Sequence, residues 1–286
     1  MDLFLPQTIE EAIALLVQHE GARCISGGAT LVAMMNAGLV QPAALVSLRQ
    51  IQGLSGIARE ADGSVRIGAM TRHVETASSA AFRHGQRVVP LAAVRIANRV
   101  VRNMGTMGGS ISFADPAADY LAALAAAGAT IETASPRGKR SIAVTEFVTD
   151  WYTTALAADE IVTAIGVPAM PAGSAGHYEK LARVSGDFAI VSIALIAKFE
   201  GDICSFLQVA VGGCGPAPLR LREAEQLLEG SPLTPSLVAE AARRLVAISD
   251  PVDDVRASGE YRRAVLPRLL AKALAQLQQS DQAEVA

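Results

Sequence analysis

Apolar and polar residues alternate in patterns that divide the chain into three consecutive parts. In the first part, which ends near residue 55, apolar residues at helical spacing predict helices over 8–19 and 30–37. Short apolar runs predict a strand ending at residue 26 and a strand over 44–48. Thr8 is followed by Glu10 and Glu11, and a hydroxyl residue ahead of acidic residues is typical of a helix start.

The second part opens with a hairpin and continues with helices and further strands. Asp62-Gly63 is a strong turn dipeptide between two short apolar segments, 57–59 and 65–67. Helices are predicted over 71–79, 88–100 and 116–127, and strands over 129–133, 139–142 and 160–167. Pro116 would stand in the first turn of its helix, where proline is well tolerated.

The third part has the pattern of a sheet followed by helices. Strands are predicted over 178–184, 189–199 and 204–211, and helices over 222–228, 235–247 and 260–278. This order indicates an α+β fold. The segment 168–176 contains two prolines and two glycines and is the best linker candidate. We therefore expect one domain over 1–170, with subdomains of about 1–55 and 56–170, and a second over 176–280.

Composition excludes several classes of protein. Hydrophobic residues make up 51% of the 286 positions, which is ample for a buried core, while a net charge of −3 and 4% aromatic residues do not indicate a nucleic-acid surface. Cys24, Cys204 and Cys214 are scattered, so we expect no metal site in this chain and a reducing compartment. The acidic N-terminus is unlike a signal peptide and the longest apolar stretch, 188–197, is too short to span a bilayer. We expect a cytoplasmic protein with no membrane contact.

Two glycine-rich turns lie about eighty residues apart, over 25–31 and 103–110. Glycine allows positive φ and lets backbone N–H groups approach a ligand, and concave runs of such groups bind anions. The chain has neither the lysine of a P-loop nor the G-x-G-x-x-G pattern of a dinucleotide-binding βαβ unit. The turns therefore predict the two walls of a cleft for a phosphate-bearing cofactor that is held mainly by backbone, without a metal.

Five segments, in order, resemble the FAD-binding medium subunit of molybdenum hydroxylases, the xanthine dehydrogenase and carbon monoxide dehydrogenase family. They are Ser26-Gly27-Gly28-Ala29-Thr30-Leu31; Gly105-Thr106-Met107-Gly108-Gly109-Ser110 with Ala114-Asp115-Pro116-Ala117-Ala118-Asp119; Lys180-Leu181-Ala182-Arg183 with Asp187-Phe188-Ala189; 211–218 with Arg220; and 254–256 with 260–263. The resemblance covers nearly the whole chain. It implies a two-subdomain FAD-binding domain of the vanillyl-alcohol-oxidase-like (PCMH) type, followed by a C-terminal antiparallel sheet with helices.

The resemblance also implies positions for the FAD contacts. The first turn would wrap the diphosphate, and the second turn would line the flavin and diphosphate from the other side. Asp119 would accept hydrogen bonds from the adenosine ribose, whereas Val162 and Lys180 would contact the isoalloxazine edge. The full set of implied contacts is Arg23, Ile25, Ser26, Gly27, Gly28, Ala29, Thr30, Leu31, Ile96, Ala97, Val101, Gly105, Thr106, Gly109, Ser110, Ser112, Asp119, Val162 and Lys180.

The residues alone leave simpler interpretations open. Asp119 could only favour a helix dipole, Lys180 could face solvent from a strand, and Asp115 is preferred as a helix N-cap. The histidines His19, His73, His84 and His177 have no metal-ligand spacing and are expected at the surface. Ser110 stands where many relatives carry asparagine, so a hydroxyl would replace an amide contact.

By resemblance, substrate chemistry occurs in a partner. The implied partners are a large subunit with the molybdenum cofactor and a small subunit with two [2Fe-2S] clusters, and the electrons would leave to NAD, a quinone, dioxygen or a protein. No residue of this chain is expected to be catalytic. The alternatives are a self-contained flavin oxidoreductase related to the cell-wall reductase, with its own substrate site, and a flavin-storage or assembly module.

Overall fold

The N-terminal part forms a small three-stranded parallel sheet with two helices. The computed structural model describes the backbone of residues 1–285 and the side chains of residues 1–280. The elements are β1 (Asp2–Phe4), α1 (Ile9–Gln18), β2 (Arg23–Ile25), α2 (Leu31–Asn36) and β3 (Ala44–Ser47). β3 lies between β1 and β2 and pairs in parallel with both. The Thr8 hydroxyl caps α1 by accepting from the Glu11 N–H at 3.1 Å, as the sequence predicts.

The middle part folds around a five-stranded antiparallel sheet. Its elements are β4 (Ile57–Arg59), β5 (Val65–Gly68), α3 (His73–Ser78), α4 (Val88–Arg95), α5 (Arg99–Met104), α6 (Met107–Phe113), α7 (Asp119–Ala126), β6 (Thr130–Ser135), β7 (Gly138–Ala143), α8 (Val144–Phe147), β8 (Val148–Asp150), β9 (Thr153–Thr154) and β10 (Ile161–Val167). The strand order is β4-β5-β10-β6-β7. All residues of α7 are buried, so this helix forms the centre of the molecule.

The C-terminal part is a four-stranded antiparallel sheet covered by helices. Its elements are β11 (Ala175–Leu181), β12 (Val191–Glu200), β13 (Ile203–Gly212), α9 (Arg222–Leu228), β14 (Ser231–Pro232), α10 (Pro235–Ala247) and α11 (Gly259–Val285), and the strand order is β11-β12-β13-β14. One sheet face contributes Ala194 and Ile196 to the core of the middle part. The other contributes Ile193 and Leu195 to a core with α10 and α11. β12 is uniformly apolar because successive residues point to opposite faces and both faces are buried.

The segment that links the middle and C-terminal parts is fixed by hydrogen bonds. The buried Gln86 amide donates to the carbonyls of Gly63 at 3.0 Å and Pro168 at 2.8 Å. Ser174 accepts from the Gly85 N–H at 3.1 Å. These bonds attach the linker to the preceding part. The predicted division into domains at 170 and 176 stays a prediction.

The structure confirms the α+β fold class but differs from the predicted elements around the second glycine turn. The predicted helix over 88–100 is two helices, α4 and α5, because the chain bends at Ala97, whose φ is +41°. Gly108 and Gly109 lie inside α6, which the sequence pattern does not predict. α7 begins at Asp119, so Pro116 precedes the helix and Asp115 is not its N-cap. The Asp115 carboxylate accepts instead from the Ala117 N–H at 2.9 Å.

Candidate functional site

The first glycine turn offers free backbone donors. It connects β2 to α2, and Gly28 has a φ of +74°. Within the described part of the chain, the N–H groups of residues 27–30 donate to no acceptor. Consecutive N–H groups around a left-handed residue form a concave anion-binding nest. The turn can therefore receive a negatively charged group without losing an internal hydrogen bond.

Most backbone donors of the second glycine turn are already used. The N–H of Met107 donates to Thr71 O at 2.9 Å and that of Gly108 to Ala69 O at 2.8 Å. The N–H of Gly109 donates to the Thr106 hydroxyl at 3.1 Å, which caps α6. This turn can line a ligand with its side chains and α-carbons, whereas diphosphate hydrogen bonds must come mainly from the first turn.

The two glycine turns touch each other, and the prediction that they form the two walls of a cofactor cleft stays a prediction. The Thr106 hydroxyl donates to the Ser26 hydroxyl at 3.0 Å. A Cβ on Gly27 would overlap the carbonyl oxygen of Met104 and lie 2.6 Å from its carbonyl carbon. A Cβ on Gly109 would lie 2.7 Å from the Ser26 hydroxyl. The absence of side chains at these glycines allows the turns to form one continuous surface.

His73 lies beneath the second turn and is not a surface residue. Its side chain is buried, its backbone N–H donates to Gly105 O at 3.0 Å, and its ring packs edge-on to Tyr120 with the ring centres 5.3 Å apart. Nδ1 has no hydrogen-bond partner among the described residues. Burial, together with the positive charge of Arg102, lowers the pKa of His73 to about 4. The imidazole is therefore neutral under ordinary conditions.

We expect His73 to make the protein less stable in acid. Its folded pKa is below 6.5, so the unfolded chain binds more protons and the unfolding free energy falls as the pH falls from 6.5 to about 4. The loss from this group is on the order of 3 kcal/mol. Chemical denaturation between pH 4.5 and 7 should show a shallower pH dependence for His73→Gln than for the wild type. Equal slopes would contradict this assignment.

Asp119 and Lys180 form a buried ion pair. Lys180 Nζ donates to Asp119 Oδ1 at 2.9 Å and Oδ2 at 3.0 Å, and to the carbonyl oxygen of Arg95 at 3.0 Å. The hydroxyl of Tyr178 donates to Asp119 Oδ1 at 2.8 Å. Burial raises the pKa of Asp119 and the charge of Lys180 opposes that rise. The pair joins α7 to β11 and fixes the end of α4, which excludes the interpretation of Lys180 as a solvent-facing residue.

This pairing changes how the predicted FAD contacts can be assigned. The adenosine ribose and the isoalloxazine ring are at opposite ends of FAD, whereas the charged atoms of Asp119 and Lys180 are 2.9 Å apart. In an extended FAD, the two residues cannot contact opposite ends as the resemblance implied. No local sequence pattern indicates the pairing, because the two residues are separated by 61 positions.

The remaining predicted contacts differ in how deeply they are buried. Ile96 and Ala97 are half-buried in the bend between α4 and α5, and Val101 is half-buried on α5. On α6, Ser110 is half-buried and Ser112 is exposed. Val162 is buried in β10, and Gly105 is buried against His73. In the first turn Arg23 and Thr30 are exposed, whereas residues 24–29 and Leu31 are half-buried.

The site can bind an anion but offers little acid–base or nucleophilic chemistry. The charges of Asp119 and Lys180 compensate each other. Burial raises the pKa of the Cys24 thiol, just before the first turn, to about 12, so it is not a thiolate at neutral pH. No cluster of three or more His, Cys, Asp or Glu residues that could hold a metal is found within the described residues. In the same range, no helix combines the length and apolar character that crossing a bilayer needs.

Comparison with known proteins agrees with this picture. The model of the FAD binding domain in molybdopterin dehydrogenase matches residues 1–170, and the model of the CO dehydrogenase flavoprotein C-terminal domain matches residues 176–277. The chain is 34% identical to the 6-hydroxypseudooxynicotine dehydrogenase complex subunit alpha of Paenarthrobacter nicotinovorans, over 96% of this chain and 94% of the relative. It is 33% identical to the carbon monoxide dehydrogenase medium chain of Hydrogenophaga pseudoflava, over 94% of each.

Solved structures give the same result. The carbon monoxide dehydrogenase from Hydrogenophaga pseudoflava that lacks the Mo-pyranopterin moiety superposes with a TM-score of 0.92 at 34% identity, covering 96% of both chains. The cyanide-inactivated Cu,Mo-CO dehydrogenase superposes with a TM-score of 0.93 at 32% identity, covering 98% of both. The resemblance of the five sequence segments is thereby confirmed, and the chain belongs to the family of FAD-binding medium subunits of molybdenum hydroxylases.

Proposed function

We propose that this chain is the FAD-carrying electron-transfer subunit of a heterotrimeric molybdenum hydroxylase. It would accept electrons from the iron–sulfur clusters of a small partner and pass them to an external acceptor, while a large partner hydroxylates the substrate. The observation that carries the proposal is the first glycine turn, whose N–H groups over 27–30 have no acceptor within the described chain although the turn packs tightly on the second. When bound, FAD supplies the exchange of electrons between the clusters and the acceptor.

The residues present fit the chemistry of FAD. The diphosphate carries the negative charge that a nest of free N–H groups selects, and no lysine or metal is needed for a group that is held without hydrolysis. Ser26, Thr106, Gly109 and Ser110 form the shared surface of the two turns that would lie beside it. Ile96, Ala97 and Val101 supply the apolar surface at the bend. We retain Arg23, Ile25, Leu31, Gly105, Ser112 and Val162 as proposed contacts.

The ion pair of Asp119 and Lys180 has a different proposed role from the one implied by resemblance. Lys180 donates three hydrogen bonds, two to the Asp119 carboxylate and one to the carbonyl oxygen of Arg95. We propose that the pair, through the hydrogen bond from Lys180 to the Arg95 carbonyl, sets the position of the bend after α4.

The self-contained flavin oxidoreductase is not favoured. Such an enzyme needs its own substrate-binding and acid–base groups, and the buried titratable groups around the turns are ion-paired or neutral. Two relatives that match over nearly their whole length are a subunit of a dehydrogenase complex and a medium chain of carbon monoxide dehydrogenase. The proposal includes an external electron acceptor of the NAD, quinone, dioxygen or protein class. It also includes a cytoplasmic location, because all three cysteines are free.

The decisive experiment measures cofactor content in the chain alone and in its native complex. The purified chain should bind equimolar FAD that acid or guanidinium releases into the supernatant, because the Cys24 thiol has a pKa of about 12 and is not a reactive nucleophile. The native complex should contain a large molybdenum subunit and a small iron–sulfur subunit. A chain that takes up no FAD, or that oxidises substrate without partners, would contradict the proposal.

A further inference from the structure

The bend between α4 and α5, which we define as residues 96–98, contains a backbone conformation that its own residues do not favour. Ala97 has a φ of +41°, in the left-handed region that L-residues other than glycine rarely adopt. Alanine has no polar side chain that could compensate locally, so the conformation must be maintained by neighbouring groups.

Arg102 provides that restraint from within α5. Its guanidinium NH1 donates to the carbonyl oxygens of Ile96 at 2.7 Å and Ala97 at 2.9 Å. Hydrogen bonds from a charged donor are stronger than neutral ones, and carbonyls at the end of a helix otherwise lack partners. Lys180 donates to the preceding carbonyl, that of Arg95. Arg102 and Lys180 thus hold three consecutive carbonyl groups, those of residues 95–97.

The bend determines where the second glycine turn lies. α5 spans Arg99–Met104 and ends directly at the turn, and Met104 is the residue whose carbonyl packs on Gly27 of the first turn. From the other side, Gly186 lies so close that a Cβ there would be 2.6 Å from the Ala97 carbonyl oxygen. A change in the bend would therefore rotate α5 and separate the two turns.

We propose that Arg102 is a positioning residue of the FAD site, which holds the 96–98 bend in the conformation that brings the second glycine turn against the first. This inference rests on the proposed function. FAD binds the chain with the bend formed, so its apparent affinity falls with the fraction of chains in that conformation. In this proposal, Arg102 affects the affinity for FAD through the backbone of Ala97, so substitutions at the two positions should interact.

The test combines Arg102→Met with Ala97→Gly in the full-length apo chain. FAD titration followed by flavin fluorescence, with visible circular dichroism of the bound flavin, should show a Kd raised about tenfold or more in Arg102→Met. Glycine adopts positive φ freely, so Ala97→Gly should restore most of that loss in the double variant, and the Ala97→Gly single variant measures the separate effect of removing the Ala97 methyl group. Arg99→Met is the matched control, since the Arg99 side chain is exposed and makes no hydrogen bond within the described residues.

The outcomes separate positioning from general stability. Rescue by Ala97→Gly, with no effect of Arg99→Met, supports the proposal. Effects of Ala97→Gly and Arg102→Met that simply add, or equal effects of Arg102→Met and Arg99→Met, overturn it. If thermal unfolding shows that Arg102→Met does not fold, Arg102→Lys replaces it and should give a smaller loss with the same rescue. A wild-type chain that binds no FAD would refute the proposed function instead.

Discussion

Replacing Gly27 by alanine is expected to abolish FAD uptake at micromolar concentrations. The added Cβ would overlap the carbonyl oxygen of Met104 and lie 2.6 Å from the carbonyl carbon and 3.0 Å from the α-carbon of Gly105. These are backbone atoms of the second turn and cannot rotate away, so the two turns must separate. Gly27 belongs to the turn that we propose binds the diphosphate, and displacing this turn by enough to lose two such hydrogen bonds weakens binding about 100-fold or more.

The control for Gly27→Ala is Gly38→Ala in the same N-terminal part. Gly38 has a φ of +72°, and no atom lies within 4 Å of the position that a Cβ would take. Alanine there therefore adds backbone strain without a new contact. It should cost about 1 kcal/mol of unfolding free energy and leave the FAD affinity unchanged. Fluorescence titration of both variants gives the comparison. Wild-type affinity in Gly27→Ala would show that the contact between the turns is not needed for binding.

Gly109 offers a graded comparison at the same contact. A Cβ there would meet the Ser26 hydroxyl at 2.7 Å and the Thr106 hydroxyl at 3.0 Å. Hydroxyl groups can rotate, whereas the backbone next to Gly27 cannot. A bulky residue at Gly109 should abolish flavin binding with the fold largely kept, but alanine there should be milder than Gly27→Ala.

Local patterns in the sequence account for most of the fold. The cap at Thr8, the Asp62-Gly63 hairpin and the uniformly apolar strand β12 follow from residues adjacent in the chain, and the structure contains all three. The break at Ala97 does not follow from sequence, because alanine favours helix and the bend depends on cations from Arg102 and Lys180. Tertiary contacts overrode local propensity at this position.

The glycine turns of the candidate site can be predicted from the sequence, but the contacts between them cannot. The first glycine turn was found because glycine at a strand-to-helix junction is a local signal. Its contact with the second turn joins Ser26 to Thr106, which are 80 positions apart, and no local pattern records such a pair. Burial of His73 also depends on distant residues, because Tyr120 and the second turn cover its ring.

Replacing Lys180 by methionine is expected to destabilise the chain strongly. The Asp119 carboxylate would lose its buried counter-ion and keep only the hydrogen bond from Tyr178. Removing one partner of a buried ion pair costs about 3–5 kcal/mol, because the other charge remains uncompensated. Tyr178→Phe is the control, since it retains the ion pair and loses a hydrogen bond worth about 1 kcal/mol. Chemical denaturation of the two variants measures the difference.

The destabilisation by Lys180→Met should depend on pH in a definite direction. Burial already raises the pKa of Asp119, and removing the Lys180 charge raises that pKa further. A carboxyl group with a folded pKa above its unfolded value binds protons more readily in the folded state, so stability is lost as the pH rises through the folded pKa. The deficit of the variant should therefore be smallest near pH 5 and largest near pH 8. His73 contributes equally to both proteins and cancels in the difference.

A second substitution distinguishes the uncompensated charge from a loss of packing. In Asp119→Asn combined with Lys180→Met, the buried carboxylate is gone while the shape of the site is nearly retained. The double variant should recover part of the lost unfolding free energy at pH 8, and because it lacks the Asp119 carboxyl its deficit from the wild type should not grow as the pH rises from about 5 to 8. A deficit that is independent of pH in Lys180→Met alone would mean that the lysine contributes through its aliphatic chain, and that its ammonium group does not compensate Asp119.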